Sequence, residues 1–350
     1  MQGEGRRAVP ATSHDFPAPD LDGKSILVTG ATGSFGHRFV ETVLKRYNPR
    51  RLIIFSRDEM KQYEMSQTFS HEDYPCLRYF IGDVRDCDRL ELAMADVDYV
   101  IHAAALKHVP STEYNPFECI FTNVHGAENV VRAALRSGVK RVIALSTDKA
   151  VNPINIYGAS KLAADKIFIA ANSLSGAREL RFSLVRYGNV MGSRGSVIPL
   201  FRRLIEEGAD SLPITDPRMT RFWITSQQGV DLVLRSLTMM SGGEVFIPKI
   251  PSMKVTDLAH ALAPHLPHRI IGIRPGEKLH EVLITADDAR NTLELPDSYI
   301  IEPAFAYWSR ESYEANGATR VPEGFCYASD TNPRRLSPED LHAMLEEAGR

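Results

Sequence analysis

Ser146-Thr147-Asp148-Lys149 sets hydroxyls, a carboxylate and an amine side by side at the end of an apolar run, and Tyr157-Gly158-Ala159-Ser160-Lys161 follows closely. A tyrosine and a lysine four residues apart share one face of a helix. There the lysine ammonium stabilises phenolate, lowers the tyrosine pKa and lets it take a hydroxyl proton as hydride leaves the carbinol carbon. The same amine can hold a nicotinamide ribose. Such a set moves a hydride as well as protons, so it needs an acceptor. Gly30-Ala31-Thr32-Gly33-Ser34-Phe35-Gly36, between a first apolar run and a helical stretch, offers a site for one. Glycines there permit a tight turn and close backbone approach, and the helix N-terminus attracts a pyrophosphate.

The end of the second strand discriminates between dinucleotides. An acidic residue there accepts hydrogen bonds from a ribose 2′-hydroxyl. This chain has Ser56-Arg57-Asp58 with Lys61 a turn later, cations that suit a 2′-phosphate, so NADP is the expected cofactor. Asp83-Val84, after Tyr79-Phe80-Ile81, falls where an adenine edge is met.

Placing these groups together requires a scaffold, and the chain's rhythm supplies one. Apolar runs at 25–30, 51–56, 98–102, 141–145 and 182–186 have the unbroken character of strands buried on both faces. Between them lie helical stretches such as 117–137, stopped by Gly138. Strand and helix alternating in this way predict a doubly wound α/β fold with a parallel, Rossmann-type sheet. Residues 1–23 are expected to be a disordered leader and 24–190 the dinucleotide-binding domain. Residues 191–350, punctuated by prolines from Pro199 to Pro275, are expected to be mainly a smaller substrate-binding region that returns some elements to the first domain. Ser337-Pro338-Glu339-Asp340 has the composition of a helix start and predicts an amphipathic terminal helix.

Composition excludes several classes. With 350 residues, 43% hydrophobic and 24% charged, the chain can bury a large core. A net charge of -3 gives no basic field for nucleic acid or anionic membrane, so cations that serve an anionic substrate must be local. No apolar run reaches the length of a membrane helix. The four cysteines have neither metal-ligand nor disulfide spacing, which predicts reduced thiols in a cytoplasmic protein. His102 and His108 flank Lys107 without carboxylate or cysteine partners at ligand spacing, so no metal is expected.

The glycine turn, Thr147 and the Tyr157/Lys161 pair resemble the extended short-chain dehydrogenase/reductase superfamily. Ser146-Thr-Asp-Lys-Ala150 with Asn152-Pro-Ile-Asn155, and the segments 103–110, 187–195, 219–225 and 274–281, narrow the likeness. From about residue 25 to residue 283 the chain closely resembles the inverting UDP-N-acetylglucosamine 4,6-dehydratases. The resemblance implies oxidation at sugar C4 with Tyr157 as base and NADP as hydride acceptor. Lys149 would then remove the C5 proton, its own pKa pushed down by desolvation beside the oxidised nicotinamide and Lys161. Asp148 would protonate the departing 6-hydroxyl and Thr147 would polarise the C4 oxygen. Hydride return to C6 and protonation of C5 on the opposite face would give UDP-2-acetamido-2,6-dideoxy-β-L-arabino-hexos-4-ulose, a first step toward pseudaminic acid and flagellin glycosylation.

The resemblance further implies that Ala103 lies against the cofactor, and that Lys107, Asn189, Arg194, Arg274 and Glu277 bind UDP-N-acetylglucosamine. Arg194 and Arg274 offer forks for phosphate oxygens, and Glu277 an acceptor for a ribose hydroxyl. Arg221 and Trp223 stand as candidates for the same cleft or, for Trp223, the core. A homo-oligomer is expected. Retaining dehydratases acting on glucose typically carry Asp-Glu where this chain has Asp148-Lys149, which makes the lysine the most discriminating residue. Three alternatives remain open: a C5-retaining UDP-N-acetylglucosamine dehydratase, a UDP-sugar 4-epimerase, which needs no acid–base pair at C5 and C6, and a non-catalytic NADP-sensing module.

Overall fold

The computed structural model describes residues 19–176, 178–308, 310 and 312–349. The predicted apolar runs form β1 (Ser25–Thr29), β2 (Arg51–Ser56), β4 (Tyr99–His102), β5 (Arg141–Thr147) and β6 (Arg181–Tyr187), and the Tyr79-Phe80-Ile81 stretch forms β3 (Leu77–Ile81). These six pair in parallel in the order β3-β2-β1-β4-β5-β6. Every residue of β1 is buried, and every residue of β2 except Arg51, because helices cover both faces. The order reverses between β1 and β4, and the crevice at that switch point is where such sheets bind their ligands.

Among the described residues the sheet has ten strands, and the later chain supplies the other four. Val245–Pro248 adds in parallel to β6, and Ser298–Ile301, Thr292–Glu294 and Thr319–Arg320 follow it antiparallel. Residues beyond 190 therefore complete the central sheet while also building two smaller cores, one around Trp223 and one around Phe201. The terminal helix, Pro338–Gly349, starts where Ser337 Oγ accepts from the Asp340 amide at 3.1 Å.

The helices on the first half are α1 (Ser34–Arg46), α2 (Glu59–Thr68), α3 (Cys87–Ala93), α4 (Val109–Tyr114), α5 (Pro116–Ile120), α6 (Gly126–Arg136) and α7 (Ile156–Leu174). The helix predicted over 117–137 is interrupted. A π-helical turn, Phe121–His125, separates α5 from α6. It turns Asn123 onto the loop after β4, where Oδ1 accepts from the Leu106 amide at 2.8 Å and Nδ2 donates to the Leu106 carbonyl at 2.9 Å.

The fold also reaches further back than the expected boundary at residue 23. Leu21 is fully buried, Asp22 accepts from the Asn48 amide at 2.7 Å, and the Gly23 amide donates to the Asn48 carbonyl at 2.9 Å. A single leucine flanked by Asp20 and Asp22 carries no periodic signal, which is why this anchor reads as leader in the sequence. The rest of the expected leader, 1–18, lies outside the described residues. Among those described, no helix is long and apolar enough to cross a membrane.

Candidate active site

β1 runs into Gly30, whose φ of +67° is one that L side chains rarely adopt. A Cβ at Gly30 would stand 2.8 Å from the Ala104 backbone, and one at Gly36 would stand 2.4 Å from the Ala31 backbone. The turn closes with the Gly33 amide donating to the Gly30 carbonyl at 3.0 Å, and α1 begins at Ser34 without a side-chain cap. Its first N–H groups are thus left for an anion. The Ala103 amide donates to the Thr29 carbonyl at 3.2 Å, so the segment after β4 lies against the turn at Gly30, and Ser34 and Phe35 open α1 beyond it. Thr32 Oγ1 and Ser56 Oγ meet at 2.9 Å and join the turn to the end of β2.

The cations expected near a 2′-phosphate flank that end, with partners of their own. Asp58 caps α2 through the Lys61 amide at 3.0 Å and pairs with Lys61 Nζ at 2.9 Å. Arg57 is exposed and stands 3.7 Å from Asp83 Oδ2. Arg85 grips Asp83 through Nε at 3.0 Å and Nη2 at 2.8 Å. Burial acts to raise the Asp83 pKa, but the Arg85 hydrogen bonds and the Arg57 charge outweigh it and lower the value. Val84 is buried beneath Gly126, where a Cβ would come within 2.8 Å of it.

The chemical groups gather where β5 ends. A tight turn, Asp148–Ala150, leads to Asn155, whose side chain caps α7 by accepting from the Gly158 amide at 2.7 Å. A Cβ at Gly158 would stand 2.1 Å from the Lys149 carbonyl oxygen, so only glycine lets α7 press Tyr157 onto the turn. Asp148 is fully buried; its Oδ1 accepts from Thr147 Oγ1 and from Lys149 Nζ, both at 3.0 Å, and its buried Oδ2 has no partner. The Thr147 hydroxyl near the Tyr157 phenol acts to lower the phenol's pKa.

Two electrostatic expectations are corrected. Burial lowers the Lys149 pKa, but the carboxylates of Asp148 and Glu281 overcome it and raise the value, so the protein's own groups hold Lys149 as an ammonium. Burial pushes Tyr157 up to about 12, and the cation that most offsets this is Lys149, not Lys161. Lys161 instead donates to the Leu145 carbonyl at 2.7 Å, and burial lowers its pKa. Helical spacing places Lys161 on the same face as Tyr157 but does not reveal the strand carbonyl that holds its amine.

Among the residues expected to meet substrate, Lys107 is exposed, and partial desolvation by its surroundings and the Lys149 charge lower its pKa. Asn189 Oδ1 accepts from Lys149 Nζ at 3.3 Å, which brings this residue to the Asp148–Ala150 turn. Arg274 and Glu277 share a loop, with Nη1 3.8 Å from Oε1, and Asn155 Nδ2 donates to the Gly276 carbonyl at 2.7 Å. The cap of the Tyr157 helix is therefore also the tether of that loop. Arg194 is exposed, and its charge is felt at His37 on α1, the dinucleotide side of the cleft. Trp223 is core, and Arg221 is buried with Nη1 donating to the Thr220 carbonyl at 2.8 Å. Burial drops His102 to about 3, and its Nδ1 meets Thr29 Oγ1 at 2.8 Å. No cluster of three metal-ligating side chains exists among the described residues.

Sequence reasoning missed two members of the site. Glu281 is buried, with Oε1 3.3 Å from Lys149 Nζ. It closes the 274–281 segment, from which the sequence reading took only Arg274 and Glu277 as substrate ligands. Asn123 Nδ2 donates to Ser160 Oγ at 2.9 Å as well as to Leu106, tying the Lys107 loop to α7. Its signal lies in a π turn that helical periodicity does not show.

Comparison with known proteins gives a consistent picture. Residues 26–303 match the family model described as polysaccharide biosynthesis protein. A UDP-N-acetylglucosamine 4,6-dehydratase (inverting) from Campylobacter jejuni is 58% identical over 327 residues, 92% of this chain and 97% of that protein. A UDP-glucose 4-epimerase from Rickettsia canadensis is 41% identical over 330 residues, 92% of this chain and 95% of that protein. The X-ray structure of Pen from Bacillus thuringiensis superposes with a TM-score of 0.85 at 38% identity, covering 94% of this chain and 99% of that one.

Proposed function

The chain belongs to the polysaccharide biosynthesis protein family, and from that premise we propose that it is an NADP-dependent, C5-inverting 4,6-dehydratase of UDP-N-acetylglucosamine. The observation that carries the proposal is the buried contact of 3.0 Å between Lys149 Nζ and Asp148 Oδ1 at the foot of the Tyr157 helix. The glycine cradle at Gly30 and Gly36, which any Cβ would fill, and the uncapped start of α1 fit a dinucleotide pyrophosphate. When bound, the nicotinamide supplies the acceptor for the C4 hydride and its donor to C6.

The protein's residues do the proton work. Tyr157 takes the proton of the C4 hydroxyl, with Thr147 directing that oxygen. The resulting ketone acidifies C5, whose proton goes to the Lys149 amine. Asp148 gives its proton to the C6 hydroxyl, which leaves as water as the C5–C6 double bond forms. The pair rests as ammonium and carboxylate and must act as amine and acid, two states that hold the same number of protons. One transfer along the hydrogen bond between them interconverts the two. The Lys149 ammonium then gives a proton to C5 on the opposite face, which completes the inversion, and the proton that Tyr157 took from the C4 hydroxyl restores the ammonium.

Arg57 and Lys61, at the end of β2 and the start of α2 and held only by ion pairs to Asp83 and Asp58, suit a 2′-phosphate, which supports NADP over NAD. Arg274 and Glu277, on a loop tethered to the α7 cap, suit the diphosphate and the uridine ribose, with Lys107 on the sugar side. Asn189 and Arg194 take the remaining substrate roles, Asn189 from beside Lys149. A homo-oligomer, a cytoplasmic setting supported by four free thiols, and a place at the start of pseudaminic acid-type sugar biosynthesis belong to the same proposal.

A 4-epimerase is the second reading, favoured by the 41% identity to a protein of that name. Mass spectrometry of the nucleotide product after incubation with UDP-N-acetylglucosamine and NADP separates the two. A dehydratase yields a product lighter by one water; an epimerase, or a module that only senses NADP, leaves the mass unchanged.

A further inference from the structure

Lys149 Nζ is surrounded by three side-chain oxygens: it donates to Asp148 Oδ1 at 3.0 Å and to Asn189 Oδ1 at 3.3 Å, and it forms an ion pair with Glu281 Oε1 at 3.3 Å. Glu281 is only 2% exposed, and its backbone is fixed on both sides by Ser329, which donates its amide to the Glu281 carbonyl at 2.8 Å and accepts the Glu281 amide on Oγ at 2.9 Å. Its carboxylate also faces Lys278 Nζ at 3.7 Å and Arg221 Nε at 4.0 Å. Lys278 itself is anchored, donating to the Val151 carbonyl just past the catalytic turn at 2.5 Å. The group is a buried cluster of three cations and two carboxylates, held by both halves of the chain.

We propose that Glu281 is a positioning residue for Lys149: it aims the amine and, because the charges of Lys278 and Arg221 face its carboxylate at 3.7 and 4.0 Å and favour its ionised form, directs the lysine's mobile proton to Asp148 rather than to itself. A proton on Glu281 would leave two further buried cations without their counter-charge. A proton on Asp148 neutralises a carboxylate whose cationic neighbour has just been neutralised by the same transfer. Asn189 cannot accept a proton and only orients the amine. The step is balanced: an N–H bond of Lys149 breaks, an O–H bond of Asp148 forms, and the cluster's net charge does not change. Asp148 then holds the proton that the departing hydroxyl needs, and Lys149 the lone pair that C5 needs.

The inference rests on the dehydratase reading, and one experiment separates the two. Exchange of the C5 proton is followed in deuterated water with UDP-N-acetylglucosamine across pH, for the wild-type holoenzyme and for Glu281→Gln, Glu281→Asp and Lys278→Met. Glu281→Gln keeps an acceptor but removes the charge that holds Lys149 as an ammonium. Its exchange profile should move to lower pH by about one unit or more, with Glu281→Asp returning toward the wild-type profile. Lys278→Met leaves Glu281 freer to hold Lys149, so its profile should move to higher pH, an opposite shift that a merely structural lesion would not give. Should Glu281→Gln fail to fold, the Lys278→Met profile carries the test alone. Wild-type exchange with unshifted profiles in the variants overturns the inference and leaves the dehydratase standing. No C5 exchange in the wild type overturns both.

Discussion

The carbonyl oxygen of Lys149 lies 2.1 Å from the point where a Cβ on Gly158 would stand. That contact lets the residue after Tyr157 touch the turn that carries Asp148 and Lys149, and it makes Gly158 a condition of the active-site geometry. A Gly158→Ala variant must push α7 away from the turn. The expected cost is about 1–3 kcal/mol of stability, read as a lowered Tm, together with a fall in kcat larger than the rise in KM. Wild-type kinetics in that variant would show that the close packing is incidental.

Tyr157, held up to about 12 by burial, is protonated at neutral pH in the protein alone. Oxidation at C4 requires the phenolate or a concerted proton transfer. Its single-turnover rate, followed by the absorbance of reduced nicotinamide, should therefore rise as pH is raised above neutrality. Tyr157→Phe should slow the step by roughly 10²–10⁴-fold while the protein still folds and binds nucleotide. A variant that oxidises normally would pass the role of base to another group.

Arg57 is the exposed cation at the end of β2, and its present partner, Asp83, is already gripped by Arg85. It is free to turn to a phosphate. A charge-assisted hydrogen bond of about 1.5–3 kcal/mol corresponds to a rise of roughly 10–100-fold in the KM for NADP on Arg57→Ala, with the KM for NAD little changed. Equal effects on the two cofactors would remove Arg57 from 2′-phosphate recognition.

His102 links stability to pH. Its folded-state pKa, about 3, lies below the ordinary imidazole value of 6.5, so the unfolded chain binds the extra proton between the two. The stabilisation is fully present above pH 6.5 and is lost as pH falls toward 3. It amounts to several kcal/mol at most, on the order of 4–5. Urea midpoints should drop across that window, and His102→Asn, which keeps a hydrogen-bond partner for Thr29, should flatten the drop. An unchanged acid slope would assign it to carboxylates.

The parts of this fold legible in the sequence are those with a period or a punctuation mark. β1, β2 and β5 announced themselves as apolar runs, Gly30 and Gly36 as a turn, and Ser337-Pro338 as a helix start, because each is decided by local sterics and burial. The catalytic segment was legible because Asp148 and Lys149 are adjacent and Tyr157 lies one short turn away. Leu21, Asn123 and Glu281 were not. Each acts through a contact with distant chain: Leu21 with the main core, Asn123 with Leu106 and Ser160, Glu281 with Lys149 across more than a hundred residues. For the same reason the sequence does not show what holds Lys149 as an ammonium in the protein alone, since its second carboxylate, Glu281, belongs to a segment whose place beside the Asp148–Ala150 turn only the fold decides.

The most direct test is proton NMR of the purified protein with UDP-N-acetylglucosamine and NADP in deuterated water, following C4, C5, C6 and the new methyl signal. A 6-deoxy-4-keto product carrying deuterium at C5, with ring couplings of the L-arabino configuration, is the expected result. A sugar inverted at C4 with its C5 proton intact and C6 still hydroxylated would contradict the dehydratase and make the protein an epimerase.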